Sequence, residues 1–497
     1  MAGFYKYKQG RVWLQRQKFE AFKLLLPYGM SNITDPVGNL TAIREPSATK
    51  RGESVIVDIT KGEPGLPGFQ LETRLQNTFN YMFNLKNCSS NFQCHLGKCD
   101  RPDNYYGSSV LLHWERSHRG EMAIDRTAML EGDDAPIQTT VPFVAELGPI
   151  PIDLKTEFTS QRTILETEAI SAFGMLDAEC LADCKSQADA GENGYAATLK
   201  LVGSTLNTAN VWYTTDKGET WLQTSTNPLP AGVDISDIIV SGTKNSHRVI
   251  VAGGSTRAGE HAIIAYADVT IVGTTTWVQV EVGTTDDEFI NKLYFMDWGH
   301  LYAVSDQGNI YMSTDGGASW ASVYAGAVEL ADISGYRDGT IWAVGDTNLV
   351  LYSSDFGSTW TVVAGAADGA GDNNLSVLVT PDGTVFIGND AGELYGSYDN
   401  GDEWHTLSVQ GIAVTAIDRI ASWGDFIIWV IATTASGSRA FRSVDGGASF
   451  RLWTLNMPTN SGLNALAVVD PNIVFVGGEP HGGSAFISKT VSNFVGI

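Results

Sequence analysis

The chain has 497 residues, 43% of them apolar, with 53 glycines, 13 tryptophans and a formal net charge of −24. That length accommodates two or three ordinary domains, or one domain and a repeat array, and the apolar content excludes a disordered chain. The charge is segregated: residues 1–160 hold 18 Lys+Arg and 18 Asp+Glu, whereas residues 161–497 hold 14 and 38, so the second part repels phosphate backbones and is not expected to bind nucleic acid.

In chain order, the opening "MAGFYKYKQGRVWLQRQKFEAF" lacks an apolar core and a small-residue cleavage site, so no signal peptide is expected. No run of about 18 apolar residues occurs anywhere, which argues against a membrane span. The opening is basic, with Lys6, Lys8, Arg11, Arg16, Lys18 and Lys23 against Glu20. It reads either as an arm that docks on an acidic neighbour or as a solvated amphipathic start. "ESVIVDIT", "SSVLLHW" and "TTVPFVAEL" read as strands. "LETRLQNTFNYMFNLKN", with Leu75, Phe79, Met82 and Phe83 at helical spacing, reads as a helix. "LGPIPID" begins a hinge over residues 147–160, giving an assembly domain 1–160 and a second domain 161–497.

Five cysteines fall before residue 185: Cys88, Cys94 and Cys99 in "NCSSNFQCHLGKCD", and Cys180 and Cys184 in "ECLADCKS". An odd number cannot pair completely within the chain. With His95 the first cluster offers zinc ligands, but its spacing lacks two paired knuckles. Disulfides or thiols are the preferred reading, and neither a metal nor a cofactor is expected.

From residue 212 a phrase recurs: "WYTTDKGETW", "YMSTDGGASW", "LYSSDFGSTW", "YGSYDNGDEW" and "FRSVDGGASF". Its pattern, hydroxyl-x-Asp-x-Gly-x-hydroxyl-aromatic, suits a tight turn between two strands. The carboxylate accepts from turn amides, the glycine takes a positive φ, and the aromatic fills the gap between sheets. The structural positions are thus Asp216, Gly218 and Trp221; Asp315, Gly317 and Trp320; Asp355, Gly357 and Trp360; Asp399, Gly401 and Trp404; and Asp445, Gly447 and Phe450. The aspartates are 99, 40, 44 and 46 residues apart. The long gap conceals a unit that keeps Trp277 without the glycine, and Ser488 to Phe494 reads as a last eroded copy. Seven units of about 47 residues, with four strands each, predict an all-β fold: a seven-bladed β-propeller after an N-terminal β-sandwich-like domain that includes the helix.

These phrases resemble the Asp-box, or BNR, repeat family over roughly two thirds of the chain. The resemblance implies that the boxes lie between the third and fourth strand of each blade, as folding elements away from any active site. One copy departs, with Glu403 in place of the hydroxyl residue. Relatives of this kind include sialidases, which imply an arginine triad for a carboxylate and an Arg-Ile-Pro phrase. That phrase is missing here. The propeller region has only Arg162, Arg248, Arg257, Arg337, Arg419, Arg439, Arg442 and Arg451, and although Arg248, Arg337 and Arg419 offer a clamp, the net charge opposes it. A neutral-glycan hydrolase needs two carboxylates about 5–10 Å apart, and none stands out among so many. "TTDDEF", with Asp286, Asp287 and Glu288, reads as a solvated loop, and His481 in "EPHGGS" as a turn. Photosystem-assembly and sorting-receptor propellers are similar too. The receptors are disulfide-rich, whereas no cysteine follows residue 184.

The first 160 residues resemble bacteriophage tail-tube-like virion proteins in "ITDPVGNLTAIREPS" and "MLEGDDAPIQTTVPF". That resemblance implies a virion structural protein, a phage tail tube or related tail or capsid component, assembled in the host cytoplasm. The N-terminal domain would form a homo-oligomer with other virion proteins and display the propeller toward a host-surface glycan or protein. No catalysis is expected. The alternatives are a non-catalytic intracellular protein-binding propeller scaffold and a glycoside hydrolase. The candidate ligand face is the one opposite the boxes, at the central channel, lined by Asp237, Tyr294, Trp298, Tyr336 and Trp423; ordinary packing between blades is the competing reading for the aromatics.

Overall fold

The computed structural model describes residues 11–15, 19, 23–24, 30–34, 40–46, 54–61, 68–73, 90–96, 110–119, 123–125, 138–144, 147–153, 157–158 and 162–164, then 169–175, 194–198, 210–216, 218–230, 233–243, 246–254, 261–269, 276–283, 288–336, 338–363, 372–453, 462–481 and 484–491. Two compact units emerge, one formed by Met1–Lys155 and the other by Thr156–Ser492. Cys88, Cys99, Cys180, Cys184, Asp286, Asp287, Arg257 and Arg337 lie outside the described residues, and Cys94 lies in a strand of the first unit.

In the first unit, β-branched and aromatic runs pair into a nine-stranded, antiparallel, branched sheet. Its hub is the long strand Val110–Arg119, which pairs with Ser90–Leu96, with Leu147–Asp153 and, through His118 and Arg119, with Gln138–Val144. His113, Ile150 and Ile152 are buried along it. Leu40–Pro46 and Ser54–Lys61 form a separate antiparallel pair. Two expectations are corrected. "LGPIPID" is a strand and not a hinge: Pro149 falls where the ladder shifts register between Leu147 and Ile150, and Pro151 sits opposite Leu112. Leu71–Thr73, the start of the expected helix, ends the strand Gly68–Thr73; the rest of that segment lies outside the described residues.

The second unit is the propeller. The expected seven blades are corrected to six: among the described residues, six sheets are blades built from consecutive strands of the chain. Blade 1 comprises Ile170–Met175, Gly194–Thr198, Val211–Thr214 and Leu222–Gln223. Blade 2 comprises Asp234–Thr243, Ser246–Gly254, Ala262–Val269 and Val278–Val282. Blade 3 comprises Ile290–Asp297, His300–Ser305, Asn309–Ser313 and Ala321–Ala325. Blade 4 comprises Leu330–Gly335, Ile341–Gly345, Leu349–Ser353 and Thr361–Val362. Blade 5 comprises Asn374–Val379, Val385–Asn389, Leu394–Ser397 and His405–Leu407. Blade 6 comprises Val414–Trp423, Ile427–Thr434, Gly437–Ser443 and Phe450–Leu452, with Val409–Gln410 added in parallel at its outer edge.

The remaining segment does not form a blade of its own. Leu463–Val468, Val474–His481 and Ser484–Val491 make a three-stranded closing sheet. Its outer edge is filled from the start of the unit, by Glu157–Phe158 and Arg162–Ile164. Ser488, expected to open a last eroded box, is instead buried within the third strand. That segment has lost the aspartate and glycine that make a turn, so the strand runs on.

Second strands carry the core. Tyr302, Trp342, Phe386, Trp429 and Phe475 all sit on second strands and rank among the largest fully buried side chains. Such a strand is covered by a blade on each side, which explains its continuous apolar runs, as in "IWAVG" and "IIWVIATT". Every inner strand shifts register near its start, between Ile170 and Ala172, Ile235 and Asp237, Ile290 and Lys292, Leu330 and Asp332, Asn374 and Ser376, Ile417 and Arg419, and Leu463 and Ala465. An extra residue there bends and twists the strand as it passes the axis.

Ring closure through residues 157–164 is testable. Proline at both Phe158 and Thr163 interferes with pairing to Ser484–Val491. The propeller transition in scanning calorimetry is expected to fall by several degrees, while proline at Val362, on an exposed outer strand, shifts it less.

Candidate functional site

Each box is a closed hydrogen-bonded turn. In blade 3, the Ser313 hydroxyl donates to Asp315 Oδ1 at 2.8 Å and accepts from the Gly317 amide at 2.8 Å. The Ser319 amide donates to Asp315 Oδ1 at 2.8 Å and its hydroxyl to Oδ2 at 2.6 Å. Thr214, Asp216, Gly218 and Thr220 repeat this in blade 1. So do Ser353, Asp355, Gly357 and Thr359 in blade 4, and Ser443, Asp445, Gly447 and Ser449 in blade 6. In blade 5, Glu403 supplies only its amide to Asp399, at 3.0 Å. The hydroxyl and then the amide of Thr359 hold the Asp355 carboxyl below its ordinary value, and the Glu403 amide chiefly does so for Asp399. For Asp216 and Asp315, burial pushes upward but is outweighed by the combined turn bonds, led by Thr220 and Ser319. The boxes lie between third and fourth strands.

The glycines do more than adopt positive φ. A Cβ on Gly218 would stand 2.3 Å from Phe475, on Gly317 2.9 Å from Ile250, on Gly357 3.0 Å from Tyr302 and on Gly401 2.7 Å from Trp342. Each contact is to the second strand of the preceding sheet, so the glycine sets how closely two blades approach. The box aromatics fill the space beside it. Trp221 meets Phe475 edge-on with centroids 6.2 Å apart, and Trp404 meets Trp342 at 6.0 Å. Trp320 and Trp360 pack against the neighbouring clusters, and Phe450 is fully buried.

The residues assigned to the face opposite the boxes do not all stand there. Asp237 is 2% exposed; it accepts from the Leu293 amide at 2.9 Å and pairs with Lys292 at 3.0 Å, both on the next blade. Asp332 accepts from the Ile333 amide and, across the next boundary, from the Val377 amide, each at 2.9 Å. Burial raises the Asp332 carboxyl, opposed by Lys292, the Val377 amide and Arg419. The residues directly after the register shifts of blades 2, 3 and 4 are thus Asp237, Lys292 and Asp332, and the two carboxylates accept from the inner strand of the following blade. Tyr294 donates its hydroxyl to the Gly335 carbonyl at 2.5 Å and is partly buried. Trp298, Tyr336 and Trp423 lie at or beside the hairpins between first and second strands. In a four-stranded antiparallel blade those hairpins share an end with the turns between third and fourth strands, so these three aromatics stand on the box face. Direct contacts agree: the Phe356 amide donates to the Gly339 carbonyl and the Gly446 amide to the Phe426 carbonyl. Trp423 is buried, whereas Trp298 is 46% exposed.

A concave site of about 280 Å³ opens on that face between blades 2 and 3, lined by Arg248, Asp268, Trp298, Asp315 and neighbouring residues. Arg248 donates to both Asp268 oxygens, at 2.6 and 2.7 Å, and to the Gly316 carbonyl at 2.8 Å, with its guanidinium 4.5 Å from the Tyr266 ring centre. Phe295 braces Trp298 edge-on at 5.3 Å. Of the arginine clamp considered from sequence, Arg248 is committed to Asp268, Arg419 sits on the inner strand of blade 6, and Arg337 lies outside the described residues; Arg442 is buried between Trp429 and Trp453. This site was not legible beforehand, because four separate strand connections contribute to it.

At the opposite end, Glu288 corrects another expectation. It is buried, not solvated, and accepts from Tyr311 at 2.8 and 2.9 Å and from Asn309 at 2.8 Å. Asp306 and Glu329 are raised, chiefly by burial, with Glu288 acting on the first and Asp346 on the second.

Residues 269–478, under half of the chain, match the family described as photosynthesis system II assembly factor YCF48. The match falls within the β-propeller that the sheets of this unit form. No curated protein matches the sequence. Similar solved structures include YCF48 bound to a D1 peptide, at 16% identity over 68% of this chain and 95% of that chain with a TM-score of 0.49. YCF48 from Cyanidioschyzon merolae gives 16%, 67%, 98% and 0.48. The WD40 propeller domain of Doa1 gives 12%, 69%, 98% and 0.48. The family match lies within the propeller, and the tail-tube resemblance of the first 160 residues is not shown. Among the described residues no helix is long and apolar enough to cross a membrane.

Two outcomes test the geometry. Gly383 has φ +82° with nothing within 4 Å of an added Cβ, whereas Gly401 has φ +87° and faces Trp342. Alanine at Gly383 costs about 1 kcal/mol of backbone strain, and alanine at Gly401 a further 1–3 kcal/mol of overpacking, measured by denaturant unfolding. The pH profile has two limbs. Asp306, Glu329, Asp332 and Asp418 have raised folded pKa values, so their favourable contribution is complete at low pH and is lost as pH rises through those values. The lowered box aspartates contribute above 3.8 and lose that contribution as pH falls below it. The melting temperature is expected to rise from neutral toward mildly acidic pH, then fall below about 3.8.

Proposed function

We propose that the propeller is a non-catalytic protein-binding scaffold that works through its box face. The carrying observation is Trp298: a large aromatic, exposed yet braced by Phe295, beside a concave site whose arginine is locked by Asp268. Rigid exposed aromatics next to a cavity anchor protein partners, because they bury large area with little loss of side-chain freedom. The match to a family described as an assembly factor supports the same reading. The site's chemistry favours binding over turnover. Asp315 and Asp268 already accept from their own turn and from Arg248, and Asp237 and Asp332 from neighbouring inner strands.

Peptides selected on the full chain from a random display library test this. Alanine at Trp298 is expected to weaken the selected peptides about tenfold or more in fluorescence anisotropy, with the melting temperature unchanged. Equal binding by this variant, or turnover of a labelled glycoside panel by the wild-type chain, overturns the reading.

A further inference from the structure

The box face carries more than Trp298. Phe356, in the blade 4 box, is half-buried with its ring 4.6 Å from His300. Tyr398, in the blade 5 box, is 49% exposed and stacked on His405 at 5.3 Å with the planes 13° apart. Three aromatics, each held by a ring neighbour, thus mark three consecutive blades on one face. A box carboxylate accompanies each: Asp315, Asp355 and Asp399. Their own turns keep these three ionised, by the bonds already described. The sequence over the same blades is strongly one-signed. From Asp297 to His405 there are 16 Asp+Glu and a single Lys or Arg, Arg337.

Resting on the protein-binding reading above, we propose that the box face of blades 3–5 docks a basic, extended segment of a partner protein, whose Lys or Arg side chains lie over Trp298, Phe356 and Tyr398 and between the box carboxylates. Charge selects the occupant. A cation over an aromatic face gains from the ring's quadrupole, and a neighbouring carboxylate adds to it in the same place. An acidic segment meets a field of its own sign. The spacing of the boxes, one per blade, favours an extended chain that presents a cation at intervals over a single compact contact. On this reading a box carries two roles. Its oxygens accept from the turn, and the same carboxylate, exposed at Asp315 and partly buried at Asp355 and Asp399, gives the face its charge.

The test uses the full chain and three labelled 15-residue peptides of matched length: Lys/Arg-rich, neutral polar and Glu-rich, measured by anisotropy at low and moderate salt. The basic peptide is expected to bind about tenfold or more tighter than the others, and to weaken as salt is added. Alanine at Trp298 and at Tyr398 should each weaken it about fivefold or more, and more in combination. Diffuse attraction to an acidic protein is separated by two double variants with the same charge change. Asp402→Asn with Glu403→Gln removes two exposed charges on the box face, and Gln307→Lys with Ala391→Lys adds two on the opposite one. Loss in the first with little change in the second supports the assignment; equal loss in both overturns it. Preference for the neutral or acidic peptide overturns this inference and leaves protein binding standing. If display selection also finds no peptide, both readings fall.

Discussion

The constraint on which the propeller rests is the approach of one box glycine to the second strand of the sheet before it. The Asp carboxylate and the Ser or Thr hydroxyl close the turn and hold it in a conformation with positive φ at the glycine. The missing side chain then lets the turn settle on Phe475, Ile250, Tyr302 or Trp342. Neither half works alone. A loose turn would not hold the glycine against its neighbour, and a residue with a Cβ would push the blades apart. In blade 1 the neighbour is Phe475 of the closing sheet, so the same contact that spaces the blades also joins the two ends of the ring.

Charge is divided between the axis and the box face by the same geometry. Inner strands shift register near their starts and place Asp237, Lys292 and Asp332 just after the shift, where each meets a neighbouring blade. Buried charge of this kind is tolerated because amides and opposite charges from the next strand replace water. The box carboxylates accept from their own turns, through both oxygens in blades 1, 3, 4 and 6, and stay at the surface. An acidic propeller therefore has an interior balanced by pairing and a face that keeps its negative charge.

Closure explains why the count of blades differs from the count of repeats in the chain. Six blades are self-contained, but the segment after residue 462 supplies three strands and takes its outer pairing from residues 157–164. A ring closed by both ends of its unit gains from each end holding the other. Opening it exposes the edge of Ser484–Val491 and the aromatic contact between Trp221 and Phe475 together.

The sequence by itself determined the all-β propeller, the turn chemistry of five boxes and the segregation of acidic charge, because each is a local pattern: Asp and Gly at fixed spacing, alternating strands, and composition. It also named Trp298 among the residues lining a candidate ligand face, but placed it at the end of the propeller opposite the boxes. Which face that is follows from counting strands and their direction within a blade, which local reading does not record. The Arg248–Asp268 pair, the burial of Glu288 under Tyr311 and the closing strands at residues 157–164 were decided only by tertiary structure. Their partners are 20, 23 and more than 300 residues apart in the chain, and no periodicity links residues that meet only once the ring has closed.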